Sequence, residues 1–474
     1  MAPTIALETV LDVLDNTLLF SCFFTTFLPL LLLLTMVASS LALLVALASL
    51  SSAAPVLEER AANVLPDFIA NNLGPYSPYH ANGVYQAVPS GCSLTQVNIL
   101  QRHGQRFPTA NAGKKIKASV AKLQKATSFS SDLSFVTDYV YELGADDLTP
   151  SGASELYREG QEAYKRYSKL FPPFVRTDSS QRVVDSAGNW TEAVYARKGK
   201  RTWPLPAVID NTAGSNDTLD DNNCDSAPDL SSYETTWLAT YAAVATARLN
   251  SAAPGANLTT ADTLNFQQLC GFDSEYHGVL SQWCGLFTKE EWEGMEYYYD
   301  LDKYYGTGYG QPLGRVQGVG YVNELLSRLT ANRRYVGADQ TQVNHTLDSS
   351  PSTFPLSGYS WFTDFSHDNE ITAILAALGL KEDATPLAAS GPQEGQTWVT
   401  SEIVPFGGKL VTERVQCGVE KYVRFFINEQ LQIPTFCAGF SSTTGLCTVE
   451  NFVESQSYAR NNGEGDWAKV RARP

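Results

Sequence analysis

Residues 96–109 of the 474-residue chain read QVNILQRHGQRFPT, an apolar segment that ends with two arginines placed around a histidine. The β-branched run at 97–100 is typical of a buried strand. The cluster at its end contains Arg102, His103 and Arg106, and the chain has only five histidines. Because open α/β sheets bind ligands beyond the carboxyl ends of their strands, this position favours a binding or catalytic role.

The chemistry of this cluster fits attack on a phosphate. Arginine stays protonated and forms bidentate bonds to phosphate or carboxylate oxygens. Two such cations should lower the pKa of His103 and leave a neutral, nucleophilic imidazole. Gly104 allows close backbone approach or an unusual backbone angle, and Pro108 fixes the exit from the loop. The structural alternative is a surface salt-bridge cluster with an incidental histidine.

A second cluster, His367 and Asp368, also lies where a strand gives way to a helix. The run GYSWFTDF (358–365) reads as a strand, and EITAILAALGL (370–380) has helical spacing with Gly379 as a natural stop. A carboxylic acid at this helix start could give a proton to a departing alkoxide. An ordinary Asp N-cap beside a packed histidine is the structural alternative.

Arg182 lies in a third strand-to-helix segment, FVRTDSSQRVVDSAGNW (174–190). It could complete a phosphate clamp or be an ordinary surface arginine. Residues 210–260 are rich in Asn, Asp, Ser and Thr, and we expect surface loops between helices there. Helices are predicted at 291–305 and 319–329, and a strand at 421–428.

The composition points to a secreted protein. The formal charge of −16 argues against binding nucleic acid or anionic lipid through the whole surface. Residues 1–54 read as a signal or targeting segment cut after Ala53 or Ala54, with a membrane anchor over residues 28–50 as the alternative. No Lys or Arg precedes the apolar run and Met36 lies inside it, so residues 1–35 read as an over-extended translation start.

Cysteines and sequons support the same compartment. Sequons for N-glycosylation lie at Asn189, Asn216, Asn257 and Asn344. Seven cysteines follow Cys22, and none has the close CxxC spacing of a zinc site, so disulfides are expected. By their short separations Cys270 should pair with Cys284, and Cys437 with Cys447.

Taken together, RHGxRxP at 102–108 and HD at 367–368 resemble the signature of the histidine acid phosphatases. Within that family the chain is similar to fungal phytases. Segments such as LGPYSPY, LTPSGASELYREG and SYARNNGEGDWAK carry the similarity from residue 65 to the end. The tyrosine-rich stretch most resembles the basidiomycete-type enzymes, which favours the 6-phosphate of the inositol ring as the first to leave.

The resemblance implies a mechanism and a fold. His103 would be the nucleophile and form a phosphohistidine, and Asp368 would protonate the leaving oxygen. Phosphate would be bound by Arg102, Arg106, Arg182 and His367. The implied fold is a phosphoglycerate-mutase-like α/β domain, at about 85–108, 172–210 and 310–474 of a catalytic unit spanning 55–474. A mostly helical domain is inserted at about 109–171 and 211–309.

Further expectations concern partners. Lys114, Lys115 and Lys117 could bind other phosphates of the substrate, or form a solvated helix face. The resemblance implies no metal and no cofactor, and we expect a monomer. It also implies a Cys92–Cys417 disulfide. Fungal relatives pair the position of Cys224 with a cysteine near the C-terminus that this chain lacks, so Cys224 should stay outside a disulfide.

The predicted activity is that of a secreted phytase acting on myo-inositol hexakisphosphate. It should peak in mildly acidic solution, where Asp368 is protonated and His103 neutral. A broad-specificity acid phosphatase is the alternative. Mutases and sugar bisphosphatases also use an RHG histidine, but the signal segment and sequons oppose them. The remote alternative is an inactive secreted homologue that binds polyanions.

Overall fold

An eight-stranded mixed sheet carries both histidine clusters. The computed structural model describes residues 64–212, 215–220, 224 and 226–471. The strands are β1 (Cys92–Arg102), β2 (Pro173–Asp178), β3 (Ala207–Ile209), β4 (Trp361–Ser366), β5 (Lys409–Cys417), β6 (Glu420–Ile427), β7 (Gln430–Gln432) and β8 (Cys447–Thr448). The order across the sheet is β3-β2-β4-β1-β5-β6-β7, and β8 pairs with β6.

The sheet is parallel on one side of β1 and antiparallel on the other. Strands β3, β2, β4 and β1 run parallel to one another, whereas β5 pairs antiparallel with β1 and with β6. Seven consecutive residues at the end of β1 are buried, as expected for a central strand covered on both faces. The carboxyl ends of β2, β4 and β1 therefore meet at one edge of the sheet.

Helices connect and cover the strands. The α-helices are α1 (Asp67–Ala70), α2 (Ala110–Leu123), α3 (Pro150–Tyr167), α4 (Gln181–Arg197), α5 (Ser232–Ala252), α6 (Thr260–His277), α7 (Lys289–Gly306), α8 (Gly314–Gln317), α9 (Val319–Thr330), α10 (Arg334–Ala338), α11 (His345–Ser349), α12 (Asp368–Leu378), α13 (Thr400–Ile403), α14 (Val449–Ser455), α15 (Ser457–Arg460) and α16 (Asp466–Arg471). Short 3₁₀ helices lie at Gly74–Tyr76, Ser131–Thr137, Ser168–Leu170, Gln282–Leu286 and Asn462–Gly465.

The three largest hydrophobic cores of the described residues lie on the sheet and among the helices. On one face, Trp361 of β4 packs with Leu156 of α3 and Trp190 of α4. Another core joins Leu100 of β1 to residues of α7, α9 and α12. The third consists largely of residues from α2, α5, α6 and α7. Helix α3, which lies inside the range that the resemblance assigned to the helical insert, thus packs on the sheet, and the extent of that insert stays a prediction.

The structure agrees with the predicted strand-to-helix junctions but corrects one loop region. Helix α12 ends at Gly379, whose φ of 84° is the left-handed conformation that glycine adopts easily. Residues 210–260, expected to form surface loops, contain the 21-residue helix α5. The prediction was wrong because the average composition hid an Ala- and Leu-containing stretch. Asp217 and Asp220 from the same region are buried.

The three predicted disulfides are present: Cys92–Cys417, Cys270–Cys284 and Cys437–Cys447. The first joins β1 to β5 at paired positions, and Cys224 takes part in none of the three. The predicted signal segment and translation start lie outside the described residues.

Within the described ranges, no helix combines the length and the apolar character needed to cross a bilayer.

Candidate active site

The register of the sheet brings the two histidine clusters together. Strands β1 and β4 pair in parallel as far as Arg102 and Ser366, so His103 and His367 leave adjacent strands at the same level. Their ring centroids are 5.6 Å apart. Arg182 enters from the first turn of α4, directly after β2, and its Nη2 lies 3.4 Å from Nδ1 of His367.

Close packing against α3 fixes the loop after β1. A Cβ atom at Gly104 would lie 2.4 Å from the side chain of Leu156 and 2.7 Å from the carbonyl oxygen of Gly152. Of the two roles considered for Gly104, close backbone approach is therefore the one it serves. The Gly104 amide donates to Ser186 Oγ at 3.1 Å. The nucleophile candidate is thus held by rigid elements.

His103 is buried, with 1% of its surface exposed. Its Nδ1 lies 2.8 Å from the carbonyl oxygen of Gly104. Because a carbonyl only accepts, Nδ1 carries the proton and Nε2 of the neutral ring keeps its lone pair. Burial, followed by the charges of Arg102 and Arg106, holds the pKa of His103 well below its ordinary value. These surroundings favour the neutral imidazole, with burial contributing more than any single arginine.

Arg102 is held firmly in place. Its Nη1 donates to the carbonyl oxygens of Pro75 and of Val404, the latter at 2.7 Å. Its guanidinium carbon lies 4.6 Å from the ring centroid of Phe406. Its Nη2 faces Asp368 at 3.3 Å. The side chain is fully buried, so its position is set before any ligand arrives.

Donor groups of the three arginines remain available. The Nε atoms of Arg102, Arg106 and Arg182 are buried and form no hydrogen bond with any described residue. Neither Arg106 nor Arg182 forms an ion pair within the described residues. Burial and then repulsion from Arg106 lower the pKa of Arg182. Converging cations of this kind repel one another and would be stabilised by an anion among them.

Asp368, the first residue of α12, contacts two buried cations. Its Oδ2 lies 3.3 Å from Arg102 Nη2 and 3.1 Å from Lys303 Nζ. Burial alone would raise the pKa of Asp368, but the two cations lower it well below its ordinary value. With these contacts the carboxyl group is ionised in mildly acidic solution. The sequence analysis expected it protonated, because it brought neither Arg102 nor Lys303 into contact with this carboxyl group.

His367 has a carboxylate partner that the sequence analysis missed. Its Nε2 lies 2.9 Å from Oδ2 of Asp178, the last residue of β2. A carboxylate oxygen of Asp220 lies within 4.8 Å of the ligand atoms of both. The three groups are close enough to hold a cation, but the hydrogen bond already engages the ring nitrogen of His367 that would coordinate it. The expected absence of a metal therefore stays a prediction.

The lysines lie on the surface, whereas the sequon asparagines differ in exposure. Lys114, Lys115 and Lys117 are exposed on α2 and form no hydrogen bond or ion pair within the described residues. Among the sequons, Asn257 is exposed, whereas Asn189, Asn216 and Asn344 are partly buried. The Asn216 side-chain amide donates to the carbonyl oxygens of Thr341 and Val343. A glycan on that nitrogen would cost one of these bonds.

Two functional candidates escaped the sequence analysis, Lys303 and Asp178. Lys303 lies in the predicted helix at 291–305, directly before Tyr304 and Tyr305, and a lysine in this tyrosine-rich stretch is a signal that could have singled it out. Asp178 ends β2 next to the predicted clamp residue Arg182, so a search of every strand end for polar side chains would have found it.

Comparisons with known sequences assign a family to this arrangement. The profile of the histidine phosphatase superfamily, branch 2, matches residues 93–428. Phytase A of Aspergillus awamori is 36% identical over 427 residues, covering 84% of this chain and 90% of the relative. Phytase A of Emericella nidulans is 35% identical over 456 residues, covering 90% and 97%.

Solved structures show the same fold. The phytase from D. castellii superposes with a TM-score of 0.68 at 24% identity, covering 83% of this chain and 85% of that one. The multiple inositol polyphosphate phosphatase of Bifidobacterium longum, in complex with inositol hexasulfate, gives 0.59 at 14% identity, covering 80% and 96%.

Proposed function

This chain belongs to branch 2 of the histidine phosphatase superfamily, and we propose that it is a phytase that hydrolyses phosphomonoesters of myo-inositol hexakisphosphate through a phosphohistidine. Support comes from two relatives that are named phytase and that this chain matches over 90% and 97% of their length. Further support comes from a protein of similar fold whose crystal structure contains inositol hexasulfate. Phytate carries many phosphates, so a site built to accept an anion suits it.

The observation that carries the proposal is the ring of buried, unsatisfied guanidinium donors around a neutral imidazole. Arg102, Arg106 and Arg182 converge on His103, and each has a buried Nε without a hydrogen-bond partner in the described residues. Such donors stabilise the oxygens of a transferring phosphoryl group without reorganising during the reaction. Burial of His103 keeps its Nε2 lone pair free for attack.

In the first step Nε2 of His103 attacks phosphorus. The N–P bond forms as the P–O bond to the inositol oxygen breaks, and Asp368 gives its proton to that oxygen. The negative charge of a bound phosphate compensates the cations that hold Asp368 ionised, and this raises the pKa of Asp368. A phosphomonoester has a second pKa of about 6, so a substrate that enters as the monoanion brings the proton that Asp368 takes up.

In the second step water cleaves the phosphohistidine. The water oxygen attacks phosphorus and the N–P bond breaks. Asp368, now a carboxylate, takes a proton from that water molecule. His103 returns to its neutral form and inorganic phosphate leaves. No step here draws on a metal or a cofactor. The enzyme is proposed to be a secreted, glycosylated monomer, with Asn257 the most accessible sequon.

The lysines of α2 are proposed to bind phosphates that are not under attack. Lys114, Lys115 and Lys117 follow the nucleophile loop along the helix, and their charges are free of protein partners in the described residues. Replacing all three by Gln should raise KM for phytate several-fold and leave an aryl phosphate unaffected. Equal effects on both substrates would mean that the lysines act on stability or on the phosphate under attack.

The test of the proposed function is incubation of the secreted protein with phytate and a chelator. We expect release of phosphate and one dominant first inositol pentakisphosphate, resolved by chromatography, with the 6-phosphate removed first. Rates on phytate and an aryl phosphate decide between a phytase and a broad acid phosphatase. Binding of phytate without any phosphate release would instead favour the inactive polyanion-binding homologue.

A further inference from the structure

The ring of His367 is held at both nitrogens by side chains from different elements. Nε2 lies 2.9 Å from Oδ2 of Asp178 at the end of β2, and Nδ1 lies 3.4 Å from Nη2 of Arg182 on α4. His367 has 4% of its surface exposed and Asp178 has none. The imidazole therefore spans from a buried carboxylate to the phosphate clamp.

These partners determine the tautomer. Arginine can only donate hydrogen bonds, so Nδ1 of a neutral ring facing Arg182 must present its lone pair. The proton then lies on Nε2, where the carboxylate of Asp178 accepts it. A histidine held by a carboxylate in this way has a fixed orientation, as in catalytic and metal sites where a carboxylate orients a ring.

Asp178 is itself fixed and charged. Its Oδ2 also accepts from the Ser180 amide at 2.7 Å, and its Oδ1 accepts from Asn211 Nδ2 at 2.9 Å. Burial would raise the pKa of Asp178, but the bonds from His367 and Ser180 outweigh it and lower that pKa. The carboxyl group is thus ionised in mildly acidic solution, and its hydrogen bonds to Ser180 and Asn211 hold it against the ring.

Charged groups face His367 from every side. Asp178 and Arg182 touch the ring nitrogens, the ring of His103 lies 5.6 Å away at the end of β1, and Asp220 approaches from the loop before α5. Asp368 follows in the chain. Among these groups, Asp178 is the one that forms a hydrogen bond with Nε2.

We propose that Asp178 is a positioning residue of the reaction: it holds His367 through Nε2 and stabilises a second proton at Nδ1, which His367 donates to a phosphate oxygen beside Arg182. This rests on the proposed phosphatase function. Arg182 and His367 then bind neighbouring oxygens of the same phosphate. The repulsion between the Arg182 guanidinium and the protonated His367 ring is offset by Asp178 on the far side of that ring.

The test compares Asp178→Asn with the wild type over pH 3.5 to 8. The oxygen of Asn can still accept from His367 and Ser180, but the charge and the bond accepted from Asn211 are lost. The alkaline limb of kcat/KM should therefore move to lower pH by about one unit or more. Activity at pH 4 should stay within about threefold, because acid solution supplies the Nδ1 proton. A purely structural role would lower activity equally at every pH, and such parallel profiles would overturn the proposal.

Asp185→Asn is the matched control, since Asp185 is exposed on α4 and lies outside the site. Its profile should match the wild type. If Asp178→Asn does not fold, ¹⁵N NMR of histidine-labelled wild-type protein reads the tautomer directly. We expect neutral His367 protonated at Nε2, and added inorganic phosphate should protonate Nδ1 as well. A ring protonated at Nδ1 alone would refute the inference, whereas an inactive wild type would refute the proposed function instead.

Discussion

Two groups of buried or partly buried arginines lie at different levels of the same sheet and are neutralised to different extents. In the middle of the sheet, Arg176 of β2 donates to Asp364 of β4 at 2.7 Å and to Glu324 of α9 at 2.6 Å. Its Nη1 also reaches Glu324, at 3.1 Å, so every nitrogen of its guanidinium group is bonded. Arg328 completes the group by a bidentate contact with Asp364.

At the carboxyl edge the arrangement is different. Arg102 shares the carboxylate of Asp368 with Lys303, and Arg106 and Arg182 form no ion pair with a described residue. A buried charge is costly unless it is paired. The paired group therefore stabilises the fold as it stands, whereas in the proposed function the active edge lacks a charge that the substrate supplies. Charge compensation, rather than the presence of arginine, distinguishes the two.

The strongest test removes His103, the proposed nucleophile that the arginines of the active edge surround. His103→Ala should lower kcat by at least about 10⁴-fold, since losing a nucleophile leaves only binding and electrostatic stabilisation. Phosphate binding, measured by calorimetry, should persist because the arginines remain. His277→Ala, an exposed histidine at the end of α6, is the matched control and should keep full activity. Near-normal turnover in His103→Ala would show that another group attacks phosphorus.

Breaking the paired group should affect stability instead. Arg176→Met leaves Asp364 and Glu324 with too few partners, and removing one member of a buried ion pair costs about 3–5 kcal/mol. Unfolding in urea measures this loss, and activity per folded molecule should change little. Arg197→Met, at the exposed end of α4, should cost less than about 0.5 kcal/mol. An unchanged unfolding midpoint for Arg176→Met would show that pairing in the middle of the sheet does not stabilise the fold.

Much of the active edge could be predicted from the sequence because its signals are local. The run at 97–100 marks a buried strand, and RHGxRxP follows at once, so the position of His103 needs no knowledge of distant residues. The same holds for His367 and Asp368 before the apolar face of α12.

What could not be predicted depends on contacts between distant segments. Lys303 reaches Asp368 from α7 and, together with Arg102, lowers the pKa of a carboxyl group that was expected to be protonated. Asp178 meets His367 only because β2 and β4 are neighbours in the sheet. Neither spacing nor composition carries this information, since the order of strands is set by packing of the whole chain.

A third test asks whether Asp368 acts as the proton donor or only helps to bind the phosphate. Asp368→Asn should slow hydrolysis of phytate by about 10²–10³-fold, the size expected for losing a general acid. An aryl phosphate with a good leaving group needs no such proton, so its rate should fall less than about tenfold. Steady-state rates on both substrates, measured with one enzyme preparation, give the ratio. Equal losses on the two would place Asp368 in binding rather than in proton transfer.

The smallest effect concerns acid stability of the paired group. Burial would raise the pKa of Asp364, but Arg176 and Arg328 lower it to about 2. A carboxyl group with a lowered pKa in the folded state stabilises the protein above its unfolded pKa of 3.8, and this stabilisation is lost as the pH falls through 2. The loss for Asp364 amounts to about 2 kcal/mol. The free energy of unfolding should therefore fall between pH 4 and pH 2, and less steeply in Asp364→Asn.

Asp138→Asn, an exposed control on the protein surface, should keep the wild-type slope. If Asp364→Asn kept that slope too, pairing at the middle of the sheet would not be what protects the fold in acid, and the contrast with the active edge would rest on catalysis alone.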